Sequence, residues 1–152
     1  MKSKYLPQEF KVVCVRECVA TELIDNPEVA VKYWRDNIPQ AAWFDPMKEA
    51  FVVFVLNARK RILGHNLVSL GSVDTCGFHP REVFKPAIVQ SAASIIVMHN
   101  HPSGDPSPSD ADILVTRDLI RAGQLLKIEV TDHIIIGNPG HKSLKSLGYF
   151  YH

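Results

Sequence analysis

Two unbroken apolar runs constrain the fold of this chain most. Phe51-Val52-Val53-Phe54-Val55-Leu56 and Ser94 to Met98 carry no polar alternation. Runs this short, rich in β-branched and aromatic residues, read as strands buried on both faces, so they belong at the centre of a sheet. Helix signals surround them. Asn26-Pro27-Glu28 places a capping residue before a proline at the first helical position, with a helix to about Asn37. Pro80 opens a second helix to about Ser91. Asp110 to Ala122 forms a third, closed by Gly123. Ile62 to Ser69 follows the turn Asn57 to Arg61 and reads as the hairpin partner of the first run. Lys127 to Ile136 is a further strand, Phe10 to Val19 alternates as a first one, and Ser143 to Gly148 is a short last helix. Strands interleaved with helices over 152 residues imply one α/β domain. The expected architecture is a three-layer α/β/α sandwich with a mixed central sheet.

The second run leads directly into chemistry. From His99 the chain reads His-Asn-His-Pro-Ser-Gly-Asp-Pro-Ser-Pro-Ser-Asp-Ala-Asp, a spacing of His-x-His-x7-Ser-x2-Asp. Alternate residues of a strand share a face, so His99 and His101 stand about 6.6 Å apart along the chain with their rings on one side. A turn rich in proline and glycine then reverses the chain. Ser109 opens the third helix and Asp112 lies in its first turn, where the two also match a capping pair. Two imidazoles and one carboxylate, with a fourth position left to water, make the donor set of a catalytic zinc site. One Zn2+ per chain, held by His99, His101 and Asp112, is the expectation.

These residues, with His79-Pro80-Arg81-Glu82-Val83-Phe84 in Gly71 to Glu82, with Asp132 to Gly137 and with the tail from Ser143 to Gly148, resemble the RadC-like branch of the JAMM (MPN+) metallopeptidase superfamily. The resemblance covers about Asn26 to the C-terminus. It implies a JAB/MPN fold related in outline to the cytidine deaminases. Residues 26–152 would form that domain, and residues 1–25 a strand extension of it. The family pattern has a catalytic glutamate at the start of a strand upstream of the histidines. Lys48-Glu49-Ala50-Phe51 occupies that place, so the resemblance assigns Glu49 as general base. It also assigns the Ser109 hydroxyl as donor to the oxyanion that forms when water attacks a carbonyl, beyond the helix cap that serine would supply anyway. Glu82 reads as structural, Asn100 and Ser103 as turn formers, and His133 as a half-buried strand residue held by Asp132.

Composition narrows the function classes. A net charge of +1, with no basic run beyond Arg59-Lys60-Arg61, argues against tight nucleic-acid binding. Cys14, Cys18 and Cys76 lack paired zinc spacing and read as reduced thiols of a cytoplasmic protein. No apolar run reaches membrane-span length, and the first residues carry no signal pattern. Three functions stay open on the sequence. The first is a zinc-dependent hydrolase of a peptide or isopeptide bond. The second is a DNA repair or recombination accessory protein, the role attached by name to RadC-like proteins. Longer members carry a helix-hairpin-helix segment before this domain, and the chain starts almost at the domain itself. The third is a metal-stabilised interaction module. No pattern in the chain specifies a substrate or an oligomeric state.

Overall fold

The computed structural model describes residues 5–71 and 79–150. Helix α1 (Pro27–Asn37) starts where the sequence indicates, with the Asn26 side chain accepting from the Val29 amide. The strands β1 (Glu49–Leu56) and β2 (Ile62–Gly71) form the expected hairpin. Helix α2 (Pro80–Val89) then leads to β3 (Ser94–Asn100). Helix α3 (Asp110–Leu126) is followed by β4 (Glu129–Ile136) and β5 (His141–Ser143). The sheet order is β2-β1-β3-β4-β5. Among the described residues only the β3–β4 pair is parallel, so the sheet is mixed.

The two apolar runs lie side by side at the centre, and β1 and β3 are almost wholly buried. Their alternation divides the core in two. Val52, Phe54, Leu56, Ile96 and Met98 face α1, where Ala30, Val31, Tyr33 and Trp34 pack on them. Phe51, Val53, Ile95 and Val97 face Val83, Phe84 and Ala87 of α2 and Leu119 of α3. Helices thus cover both faces, as in the three-layer reading, and the odd-numbered positions of β1 and β3 point toward α2 and α3.

The expected strand over residues 10–19 does not form. Val12, Val13, Val15 and Val19 are exposed, and the segment is irregular. Alternation favours a strand only where a neighbouring strand completes the ladder and one face is buried. Instead, side chains tie this segment to the end of α1. The Val19 amide donates to Asn37 Oδ1 at 2.7 Å and the Arg16 guanidinium to the Asn37 carbonyl at 2.6 Å.

The third helix runs past Gly123 to Leu126, and Lys127 takes the left-handed cap position at φ 59°. Gly123 serves packing rather than termination. A Cβ there would meet the Ile128 carbonyl oxygen at 2.5 Å and Val130 Cγ2 at 3.2 Å. The short last helix is also absent. Ser143 pairs with Ile134 as the end of β5, and turns follow. The buried Asp132 carboxylate accepts from Ser143 Oγ at 2.6 Å and from the Lys145 amide at 3.2 Å, which commits that backbone to the sheet edge.

Tyr33 Oη stands 2.9 Å from Nδ1 of His65, between α1 and β2. Burial, and then the charge of Arg16, lower the His65 pKa to about 4 from an ordinary 6.5. Above 6.5 the ring is neutral whether the chain is folded or not. Between 6.5 and about 4 the unfolded chain takes up a proton that the folded protein refuses, so stability falls as pH drops through that window. Thermal melts of wild type and His65→Gln from pH 8 to pH 4, on the order of five pH values across the His65 window, should show a smaller pH-dependent loss in the variant. Parallel curves would exclude His65 as a source of the acid lability.

Candidate metal centre

The register of the sheet assembles the site. Phe51 on β1 pairs with His99 on β3, and the antiparallel run carries Glu49 to the level of His101 just beyond the strand end. All are odd positions facing the α2–α3 side. The loop after His101 returns across β4, where Asn138 N donates to the Gly104 carbonyl at 2.9 Å. Gly137 permits that approach, because a Cβ there would overlap the Gly104 carbonyl oxygen and the Pro106 ring. The loop then delivers Ser109 and α3.

Ser109 and Asp112 form a capping box. The Ser109 hydroxyl accepts from the Asp112 amide at 3.1 Å, and Asp112 Oδ2 accepts from the Ser109 amide at 2.9 Å. This fixes the carboxylate so that its other side meets the histidines. Oδ1 lies 3.2 Å from His99 Nε2, and Oδ2 lies 3.3 Å from His101 Nε2. The two Nε2 atoms are 3.0 Å apart. Glu49 Oε1 stands 3.6 Å from His101 Nε2, on the more open side. His99 and Asp112 are sealed, whereas the side chains of His101 and Glu49 are 13% and 19% exposed.

The electrostatics follow from this crowding. Burial opposes the charge on Asp112, but the His101 and His99 rings beside it outweigh that and hold the carboxyl well below the usual range. The Asp112 carboxylate in turn raises the pKa of His101, against its burial. Nδ1 of His101 is 2.8 Å from the Asp105 carbonyl, which can only accept, so that nitrogen donates and Nε2 is left to face the cluster. Lone-pair atoms this close repel one another unless a cation or a proton lies among them. A tetrahedral zinc ion with arms of about 2.0–2.1 Å sets its ligand atoms about 3.3 Å apart. The two Nε2 atoms, 3.0 Å apart, lie near that edge, while Asp112 meets them with different oxygens, Oδ1 toward His99 and Oδ2 toward His101; two imidazoles and a carboxylate are donors of the kind that zinc takes. Glu49, His99 and His101 also offer one donor atom each within 4.8 Å of one another, so this His/His/Glu group can hold a metal ion too.

Three residues have roles that the sequence reading missed. Asn100 is not a turn former but the buried last residue of β3. Its Oδ1 accepts from the Ala50 amide at 2.8 Å, and its Nδ2 donates to the Lys48 carbonyl at 3.0 Å. It thereby clamps the backbone on both sides of Glu49. His133 is fully buried, and its ring is not held by Asp132, whose carboxylate accepts from the His133 main-chain amide instead. The ring lies 2.9 Å from His99 Nδ1 and 2.6 Å from Thr116 Oγ1, and burial first of all pushes its pKa well down. Thr116 stands one helical turn after Asp112, which was the available signal. Ser103 accepts from the Asp105 amide at 3.4 Å within the turn, as expected. Glu82 lies exposed in the first turn of α2. Cys76 and residues 72–78 of the Gly71–Glu82 resemblance lie outside the described residues.

A mixed sheet between helices, with two histidines leaving its central strand toward a carboxylate on the next helix, is an α/β arrangement of the JAB/MPN kind. A family model described as the RadC-like JAB domain matches residues 24–149, and the chain belongs to that family. A UPF0758 protein of Methanosarcina mazei is 51% identical over 102 residues, covering 67% of this chain and 44% of that protein. One from Caldanaerobacter subterraneus is 52% identical over 103 residues, 68% of this chain and 44% of the relative. One from Bacillus cereus is 44% identical over 126 residues, 83% and 54% respectively. The chain therefore spans about half the length of the curated relatives it matches. Among the described residues, no helix is long and apolar enough to cross a membrane.

Proposed function

We propose that this domain is a zinc-dependent hydrolase of the JAMM type that cleaves a peptide or isopeptide bond. The observation that carries the reading is the convergence of the His99 and His101 Nε2 atoms with the Asp112 carboxylate, and a second carboxylate, Glu49, at the open side of the cluster. Asp112 is assigned as the third ligand because its carboxylate lies against both histidines, Oδ1 at 3.2 Å from His99 Nε2 and Oδ2 at 3.3 Å from His101 Nε2, and its side chain is sealed. Glu49 sits farther out and meets solvent, as a base requires. A zinc ion held by His99, His101 and Asp112 would supply a water of lowered pKa and polarise a substrate carbonyl. Glu49 takes the proton of the attacking water and hands it to the leaving nitrogen, so the C–N bond breaks with the amine neutral. The exposed Ser109 hydroxyl keeps its own proton while accepting from the Asp112 amide, and that proton is free to donate to the oxygen that becomes negative. Asn100 holds the Glu49 backbone in register for this transfer.

The test is hydrolysis of a peptide and isopeptide library by pure zinc-loaded protein. Cleavage that a chelator abolishes and added zinc restores supports the reading. A silent library, with zinc bound, would favour the metal-stabilised interaction module. The competing repair reading makes a different demand. With a net charge of +1 the domain is expected to bind DNA weakly and with strong salt sensitivity. A gel-shift titration at physiological salt checks this, and a nanomolar complex would move the function to nucleic-acid recognition.

A further inference from the structure

The chemistry of a zinc ligand depends on which nitrogen of its ring carries the proton. His99 presents Nε2 to the cluster, and Nδ1 points away from it, toward His133 at 2.9 Å. That contact is the middle link of a buried chain. Thr116 Oγ1 lies 2.7 Å from the Asp112 main-chain oxygen and 2.6 Å from His133 Nδ1. The exposures of Asp112, Thr116, His99 and His133 are 1%, 1%, 0% and 0%, so water does not complete these bonds.

The direction of each bond follows from counting protons. A carbonyl cannot donate, so the one hydroxyl proton of Thr116 lies toward the Asp112 oxygen. The hydroxyl must then accept from His133, which places a proton on His133 Nδ1. A fully buried imidazole whose ring partners are a hydroxyl and another imidazole is neutral, since a charge there would be costly. Its Nε2 is therefore an acceptor, and His99 Nδ1 must be the donor. The reverse order would turn the Thr116 proton toward His133 and set two oxygen lone pairs face to face at 2.7 Å. Phe51 fixes the ring planes without exchanging protons. It lies nearly parallel to His99, with centroids 5.6 Å apart, and edge-on to His133 at 5.5 Å.

We infer that Thr116 and His133 are positioning residues that hold His99 as the Nδ1–H tautomer, with Nε2 bare toward the metal position. The inference rests on the zinc reading above for its purpose, though not for its geometry. The chain is closed. It starts at the Asp112 backbone, passes through Thr116 and His133 to His99, and returns through the cluster to the Asp112 carboxylate. Two ligands from different elements, β3 and α3, are thus oriented by one set of bonds. Hydrogen-bond partners of this kind set ligand orientation and basicity, and their loss typically costs about 10–100-fold in metal affinity.

The test reads the tautomers directly. Long-range proton–nitrogen correlation spectra of the metal-free wild-type protein, labelled with 15N-histidine, should show His99 and His133 each protonated at Nδ1. A His99 ring protonated at Nε2 would overturn the inference. Competition titrations with a zinc chelator then compare two variants. Thr116→Val should shift the His133 proton toward Nε2 and weaken zinc binding by about 10–100-fold. Thr116→Ser, which keeps the hydroxyl, should restore both to wild-type values. Equal losses in the two variants would make the role merely packing and overturn the inference, as would wild-type affinity in Thr116→Val. If Thr116→Val fails to fold, the wild-type spectrum still decides. A wild-type protein that shows the tautomers but takes up no zinc would sink the zinc reading alone.

Discussion

Glu49→Gln should fold as wild type does, keep its zinc, and lose about 10²–10⁴ of the hydrolytic rate, the range for removing general acid–base catalysis. The amide keeps the size of the side chain, and the Asn100 clamp acts on the backbone at Lys48 and Ala50, which the substitution leaves alone. What disappears is the group that carries the proton from the attacking water to the leaving nitrogen. Turnover on a substrate found in the library, measured beside zinc content by elemental analysis, checks both halves. Wild-type turnover would remove Glu49 from the chemistry. Loss of zinc would make Glu49 a ligand, in line with its place within 4.8 Å of both histidine donors, and would close the position reserved for water.

His99→Ala and Asp112→Ala should each lose most of the zinc that wild type binds, about one ion per chain, and activity with it. Each removes one member of the donor cluster. Asp112→Asn separates the two duties of this residue. An amide oxygen still accepts from the Ser109 amide, so the helix start should weaken by about 1 kcal/mol or less. The anionic donor is gone, so zinc and activity should fall together. Thermal melts of the metal-free proteins report the first effect and elemental analysis the second. Zinc retained in full by both alanine variants would show that the ion binds elsewhere.

The parts of the fold that the chain announced were those whose signals are local. Asn26-Pro27 marks the start of α1 because a cap and a fixed φ act within a few residues. The runs in β1 and β3 mark the centre of the sheet because no solvated face can be made from them. The readings that failed each depended on a distant partner. Val13, Val15 and Val19 fall at alternating positions as in a strand, but among the described residues no ladder accepts them. Gly123 has the composition of a helix end, yet the approach of the Ile128 carbonyl, met only in the fold, is what requires it. Ser143 to Gly148 has a helical cast, but the Asp132 carboxylate draws its polar groups to the sheet edge.

The same division runs through the site. His-x-His on a strand, and Ser-x-x-Asp at a helix start, are periodicities and caps, so local pattern is enough to put these side chains on one face and at one helix end. It could not determine the distances of 3.0–3.3 Å among their donor atoms, because those depend on how a proline-rich loop closes over Gly137 and where α3 lies on the sheet. Nor could it pair Glu49 with His101, a meeting made by antiparallel register across about 50 residues. The chain from Thr116 through His133 to His99 joins α3, β4 and β3. Its bonds act at contact range and out of water, so they exist once these three elements have packed together and have no counterpart in local pattern.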